Sequence, residues 1–89
     1  MKKAIQVSIR GKVQGVGFRV STLAKAKSLG LFGYVKNEPN GDVSARFEGD
    51  SAQLEAMLDW CKQGPIRAKV SECTSQEVTP NHYTDFSIT

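Results

Sequence analysis

The chain has 89 residues, of which 39% are hydrophobic and 24% are charged, and it carries a formal net charge of +3. This length predicts one domain over residues 1–89, with the composition of an ordinary globular protein. The longest apolar run is too short to span a membrane, and no signal-peptide stretch follows the basic start, so we expect no membrane association and a cytoplasmic location. The mild positive charge favours anionic ligands but does not by itself indicate nucleic acid.

The first third of the chain predicts a strand followed by a helix. Residues 4–13 alternate between apolar and polar side chains, which is typical of a half-buried strand. Residues 18–29 favour a helix that ends at Gly30, a residue common just beyond helix ends. The predicted apolar face of this helix consists of Val20, Leu23 and Ala24.

The next stretch predicts a hairpin. Residues 32–37 form a short strand, and the turn chemistry of Pro39-Asn40-Gly41 separates it from a third strand over 42–48. In this third strand the pattern places Val43, Ala45 and Phe47 inside the protein and Ser44, Arg46 and Glu48 outside.

A second helix follows, and it has the clearest pattern in the chain. Asp50 and Gln53 resemble a capping box at its start, and Gly64-Pro65 ends it. Its apolar positions recur at helical spacing, at Leu54, Met57, Leu58 and Cys61.

The remaining residues predict a fourth strand that begins at Ala68 and Val70, with a bulge near Cys73, and a last strand with Phe86 and Ile88. The element order β-α-β-β-α-β predicts an α+β fold, a two-layer ferredoxin-like sandwich with two helices on one face of an antiparallel sheet. In such a fold the first and third strands are central.

Two glycines and an arginine lie between the first strand and the first helix. Gly15 and Gly17 allow a tight turn, and such a turn aims backbone N–H groups at one point beside the helix N-terminus. Arg19 would add a guanidinium that matches phosphate oxygens. The residues alone leave two readings open: an oxyanion cradle, or a connection that happens to need two glycines beside a solvent-facing arginine.

Asn37 ends the second strand just before the turn. Its amide can donate and accept hydrogen bonds and could therefore orient a water molecule. On spacing alone, however, a local role in the turn is the commoner fate of such an asparagine.

Several kinds of catalytic machinery have no counterpart in the sequence. His82 stands alone in a predicted loop, the acidic residues form no pair suited to acid–base work, and no metal-ligand spacing occurs. Cys61 is predicted to be a buried thiol, and a disulfide to Cys73 stays open although a cytoplasmic location disfavours it. An enzyme of this kind would need a substrate whose leaving group departs unaided.

Two stretches resemble the signatures of the acylphosphatase family. Residues 11–19 (Gly-Lys-Val-Gln-Gly-Val-Gly-Phe-Arg) are similar to the first signature, and residues 33–43 (Gly-Tyr-Val-Lys-Asn-Glu-Pro-Asn-Gly-Asp-Val), followed by Gly49, are similar to the second. Residues 64–70 also resemble the exit from the second helix in this family. The resemblance covers nearly the whole chain and implies the same sandwich fold.

The resemblance also implies an activity: hydrolysis of the carboxyl–phosphate bond of acyl phosphates, with no cofactor and no metal. In the residues that match, Arg19 and Asn37 would be catalytic, with Asn37 orienting the attacking water. The phosphoryl group would be bound by Gln14, Gly15, Val16, Gly17, Phe18 and Arg19. The expected partners are a small acyl phosphate and, as competing anions, inorganic phosphate or sulfate. Nucleic acid is not expected, and the protein is expected to be a monomer.

Two positions depart from the family pattern. Gly17 stands where many relatives carry a bulky aromatic residue, and the chain stops at Thr89 where many relatives end with an aromatic residue.

Two alternatives stay open. An RNA-binding module of the same fold would stack bases on aromatic side chains of the two central strands, but the first strand has none and the third has only Phe47 on its apolar face. The other alternative is a domain that senses acyl phosphates or handles carbamoyl phosphate, as found attached to larger maturation proteins; the free-standing length argues against such attachment.

Overall fold

The computed structural model describes residues 2–89, which form two helices and one five-stranded sheet. In chain order the elements are β1 (Lys3–Lys12), α1 (Phe18–Ser28), β2 (Phe32–Asn37), β3 (Val43–Gly49), α2 (Ser51–Cys61), β4 (Lys69–Val78) and β5 (Phe86–Ile88). The strand order β4-β1-β3-β2-β5 makes β1 and β3 central, as predicted. The α+β two-layer sandwich is thus confirmed. Neither helix within 2–89 is long and apolar enough to cross a membrane.

The sheet is mixed rather than wholly antiparallel, which corrects one detail of the prediction. Four strands pair antiparallel, but β5 pairs parallel with β2, so that Val35 lies opposite Ile88. The reason is topological. Because β4 and β2 run in opposite directions on different sides of the sheet, a chain that leaves β4 and crosses to the free edge of β2 arrives at the start of β2 and runs alongside it.

The hydrophobic core lies between the sheet and the two helices. Alternate strand residues supply one side of it, as period-2 patterning requires: Val7, Ile9, Val35, Val43, Ala45 and Phe47. The helices supply Phe18, Ala26, Leu54, Met57 and Cys61. The rings of Phe47 and Phe86 stack with centroids 5.6 Å apart, which ties the short β5 to this core.

The buried face of helix α1 agrees with the predicted one only at Leu23, which is partly buried against the core. Its buried residues are Phe18, Thr22 and Ala26, whereas Val20 is 65% exposed. Thr22 can be buried because its hydroxyl donates a hydrogen bond of 2.7 Å to the carbonyl of Phe18. The sequence pattern treats Thr22 as polar and therefore exposed, but its hydroxyl is satisfied within the helix, so the side chain can pack in the core like an apolar one.

Helix α2 follows its predicted apolar spacing, but its N-cap makes no side-chain cap hydrogen bond, so the predicted capping box is not formed. Strand β4 begins at Lys69, close to its predicted start. Asp50 has extended backbone at the N-cap of α2, and Leu54, Met57 and Cys61 are buried while Leu58 is half-buried. The register between β1 and β4 shifts at Ser71, two residues before the predicted bulge at Cys73. Both cysteines are free thiols, and burial raises the pKa of each.

The outer face of the sheet carries a buried carboxylate that sequence alone places in solvent. Glu48 is 1% exposed because the segment 79–84, on its way from β4 to β5, covers it. Its carboxylate accepts hydrogen bonds from the backbone N–H of Asn81 at 2.7 Å and of Tyr83 at 3.1 Å, and from Nε of Arg46 at 3.0 Å. Glu48 therefore anchors the crossing segment that delivers β5 to β2.

The pKa of Glu48 gives this anchor a testable pH dependence. Burial alone would raise the pKa, but the N–H of Asn81, the Arg46 guanidinium and the N–H of Tyr83 together hold it below the ordinary value of 4.5. The stabilisation is therefore present above that value and is lost as the pH falls through the folded-state pKa. We expect Glu48→Gln to lower the free energy of unfolding at pH 7 by about 1.5–3 kcal/mol.

Urea denaturation between pH 7 and pH 3 measures both effects. The wild type should lose stability toward low pH more steeply than Glu48→Gln, because the variant has no carboxylate to protonate at this site. The exposed Glu55 of α2 offers a matched control, Glu55→Gln, which should keep the wild-type profile. A Glu48→Gln protein as stable as the wild type at pH 7 would show that the carboxylate does not anchor the segment.

Candidate active site

The loop between β1 and α1 owes its shape to two glycines in left-handed conformations. Gly15 has φ 74° and Gly17 has φ 79°, values that cost an L-residue about 1–2 kcal/mol. Gly17 is also the N-cap of α1, so the chain turns from loop into helix at this residue. The predicted tight turn with positive φ at both glycines is therefore present.

The N-terminus of α1 presents unpaired backbone donors to this turn. The first helical hydrogen bond runs from Ser21 N–H to the carbonyl of Gly17 at 3.0 Å, so the N–H groups just before Ser21 have no intrahelical acceptor. The first turn of α1 holds no acidic side chain. Helix-dipole and amide donors together favour an anion at this point.

Phe18 fixes the start of the helix to the core. Its side chain is buried, and its ring lies 5.6 Å from that of Trp60 near the end of α2, at an interplanar angle of 60°. The aromatic contact thus fixes the end of the loop to the core, while the next residue, Arg19, is half-exposed at the surface.

The Arg19 guanidinium is free to bind a ligand. Within residues 2–89 it makes no ion pair and no hydrogen bond. Arg10 and Arg46, by contrast, each pair with a carboxylate. A guanidinium beside unpaired backbone N–H groups is a site matched to the oxygens of a phosphoryl group.

Asn37 lies at the carboxyl end of β2, opposite Val43 of β3. Within the described residues 2–89, its Oδ1 is the one buried side-chain oxygen or nitrogen that has no hydrogen-bond partner. Leaving such an acceptor unpaired costs about 1–3 kcal/mol, so its presence points to a ligand or water that donates a hydrogen bond to it.

The loop, Arg19 and Asn37 meet in one open cavity of about 210 Å³. Its lining residues are Val13, Gly15, Gly17, Phe18, Arg19, Val20, Asn37 and Ile88. Two residues predicted for phosphate binding turn their side chains elsewhere: Val16 is buried in the core, and Gln14 bonds to the β2–β3 turn. A contribution of these two through their backbone N–H groups stays a prediction.

Three aliphatic lining residues were missed by sequence reasoning. Val13 is buried at the back, while Val20 and Ile88 are 65% and 37% exposed. Val20 and Ile88 thus give the cavity an exposed aliphatic wall. Val20 could have been found, since it directly follows Arg19, but Ile88 reaches the cavity only because β5 pairs with β2.

Comparison with known proteins agrees with this architecture. The sequence model of the Acylphosphatase family matches residues 5–88. The chain belongs to the acylphosphatase family. The acylphosphatase of Acaryochloris marina is 46% identical over 84 residues, which are 94% of this chain and 90% of that protein. The acylphosphatase of Syntrophus aciditrophicus is 43% identical over 89 residues, covering 99% and 93% of the two chains. The reaction is therefore the hydrolysis of small acyl phosphates, an acid-anhydride hydrolase activity.

Solved acylphosphatase structures superpose closely on this fold. The acylphosphatase from Coxiella burnetii gives a TM-score of 0.96 at 38% identity and covers 99% of this chain and 93% of its own. A full-length HypF crystallised in a phosphate- and nucleotide-bound form gives a TM-score of 0.90 at 30% identity, and the match covers 100% of this chain but 12% of HypF. The acylphosphatase fold thus occurs both alone and within a much larger protein.

The central strands do not offer the surface that an RNA-recognition module uses. β1 contains no aromatic residue, and Phe47 of β3 is buried in the core. Bases would therefore find no aromatic stacking platform on these two strands.

Proposed function

We propose that this acylphosphatase-family chain binds the phosphoryl group with Arg19 and the backbone N–H groups of residues 15–19, and orients the attacking water with Asn37. The observation that carries the proposal is that Arg19, with a free guanidinium, and Asn37, whose buried Oδ1 has no partner within residues 2–89, line the same cavity. The guanidinium and the helix N-terminus supply positive potential where the phosphoryl oxygens carry charge. The Asn37 amide supplies an acceptor that can fix one proton of a water.

The reaction then needs little further help from the protein. The water oxygen forms a bond to phosphorus, the bond from phosphorus to the carboxyl oxygen breaks, and its electron pair leaves on the carboxylate. The conjugate acid of such a leaving group has a pKa of roughly 4–5, so no general acid is needed. The water proton passes to a phosphoryl oxygen. Catalysis reduces to positioning and charge stabilisation, as in other phosphoryl transfers.

The aliphatic part of the cavity suggests where the acyl group lies. With the phosphoryl group on Arg19, the exposed side chains of Val20 and Ile88 form the neighbouring wall. Contact with two aliphatic side chains provides no hydrogen bond that would select one acyl group, so we infer a broad preference for apolar acyl groups. Inorganic phosphate and sulfate would compete for the Arg19 end. The monomeric state and the cytoplasmic location stay predictions.

Hydrolysis of benzoyl phosphate by the purified protein tests this function. We expect turnover that is unchanged by a metal chelator, competitive inhibition by inorganic phosphate, and at least about 10³-fold slower hydrolysis of a phosphate monoester, whose alkoxide leaving group needs a proton. A monoester cleaved as fast as benzoyl phosphate, or turnover that the chelator abolishes, would contradict the proposed chemistry. Carbamoyl phosphate should be compared in the same assay, because a domain that handles it is one of the alternatives that the sequence leaves open. A strong preference for it would favour the carbamoyl-phosphate alternative.

A further inference from the structure

Gln14 connects the phosphate-binding loop to the turn that follows Asn37. Its Nε2 donates one hydrogen bond to the carbonyl oxygen of Glu38 at 2.8 Å and a second to that of Asp42 at 2.9 Å. These partners lie 24 and 28 residues further along the chain. Both amide protons are thereby used, so the side-chain amide has no donor left for a phosphoryl oxygen.

The two acceptors are the carbonyls that also close the β2–β3 turn. Glu38 N–H donates to the Asp42 carbonyl at 2.8 Å, and Gly41 N–H donates to the Glu38 carbonyl at 3.1 Å. Each carbonyl therefore receives one bond from within the turn and one from Gln14. The turn begins directly after Asn37, so the hydrogen bonds from Gln14 also restrain the backbone next to Asn37.

No strand pairing makes this connection. The loop follows β1 and the turn follows β2, but β3 lies between these strands in the sheet. Among the side-chain hydrogen bonds within residues 2–89, those of Gln14 are the ones that join residues 14–19 to residues 37–42. Strand pairing and core packing set the general placement of Arg19 and Asn37, and the half-buried Gln14 side chain adds the direct hydrogen bonds between the loop and the turn.

We propose that Gln14 is a positioning residue, which holds the Asn37 amide at its working distance from the Arg19 cradle. This proposal rests on the proposed function, in which Arg19 binds the phosphoryl group and Asn37 orients water. Misplacement of a reacting group by about 1 Å can cost about 10²-fold in rate. Loss of the two Gln14 hydrogen bonds should therefore slow the attack of water, while phosphate binding, which depends on Arg19, is retained.

Gln14→Met and Gln14→Ala both remove the two hydrogen bonds and test whether they position Asn37. Methionine keeps the unbranched length of glutamine and has no donor, so it separates the hydrogen bonds from the space that the side chain fills. We expect kcat for benzoyl phosphate to fall about 10–10²-fold in both variants. We expect the Kd for inorganic phosphate, measured by calorimetry, to stay within about threefold of wild type. The exposed Gln76 of β4 provides the control, Gln76→Ala, which should keep wild-type kcat and Kd.

A second readout does not depend on turnover. Hydrogen exchange at the amides of Glu38 and Gly41, followed by NMR, should accelerate in Gln14→Met, because the turn has lost two of its supporting bonds. Wild-type kcat in Gln14→Met, or unchanged exchange at these amides, would overturn the proposal. So would a loss of phosphate affinity as large as that of Arg19→Ala, which would place Gln14 in the cradle. Absence of acyl phosphate hydrolysis by the wild type would refute the proposed function, while the exchange measurement would still decide whether Gln14 supports the turn.

Discussion

Arg19→Ala should reduce kcat/KM for benzoyl phosphate by about 10²-fold or more, the usual loss when a preorganised donor to a developing anion is removed. The guanidinium makes no bond to any residue within 2–89, so its removal leaves no protein group unpaired. The loss of activity should therefore reflect only the missing contact between the guanidinium and the substrate. We also expect the Kd for inorganic phosphate to rise about tenfold or more, since a hydrogen bond to a charged group is worth about 1.5–3 kcal/mol. Steady-state kinetics and calorimetry measure the two effects.

Two further variants define the role of the arginine. Arg19→Lys keeps the positive charge but loses the planar fork, so it should retain part of the phosphate affinity and less of the turnover. Arg67 is exposed in the turn between α2 and β4, and Arg67→Ala should match the wild type in both measurements. If Arg19→Ala turned over benzoyl phosphate and bound phosphate like the wild type, the cradle would have to lie elsewhere.

Asn37→Ala should abolish turnover while phosphate still binds. The expected split, a loss in kcat with the Kd for phosphate unchanged, follows because Asn37 is proposed to hold the water and not the anion. Arg19→Ala should instead weaken phosphate binding as well as turnover, so the two roles can be separated in one set of assays. Asn81→Ala is the matched control, because the structure uses the backbone N–H of Asn81, which the substitution keeps.

The same substitution should leave the fold intact. The Oδ1 of Asn37 is buried without a partner among residues 2–89, so replacing the side chain by a methyl group removes an unsatisfied polar atom. We expect the free energy of unfolding to stay the same or to rise by up to about 1 kcal/mol in urea denaturation. Wild-type turnover in Asn37→Ala would remove the role proposed for this residue. Lost turnover together with a clear loss of stability would point to a structural role.

Local patterns identified the parts of the site but not their assembly. The sequence predicts a tight turn with positive φ at Gly15 and Gly17 and places an arginine two residues after Gly17, but only the structure shows that this arginine has no partner within residues 2–89. The exposed Val20 shows the limit of such reading, because the sequence pattern placed it on the buried face of α1 while the structure has it lining the cavity. Which face of a short helix is buried depends on what it packs against.

The amino-acid sequence by itself determined the order of the elements, the central position of β1 and β3, the glycine loop and the family. These depend on periodicity, turn chemistry and matched stretches, which act over a few residues. Only the tertiary structure decided that Gln14 reaches the turn at 38–42, that the segment 79–84 buries Glu48, and that Ile88 joins the cavity through β5. Each of these contacts joins residues more than twenty positions apart. A polar side chain takes whichever acceptor the fold brings near, and no local pattern specifies that choice.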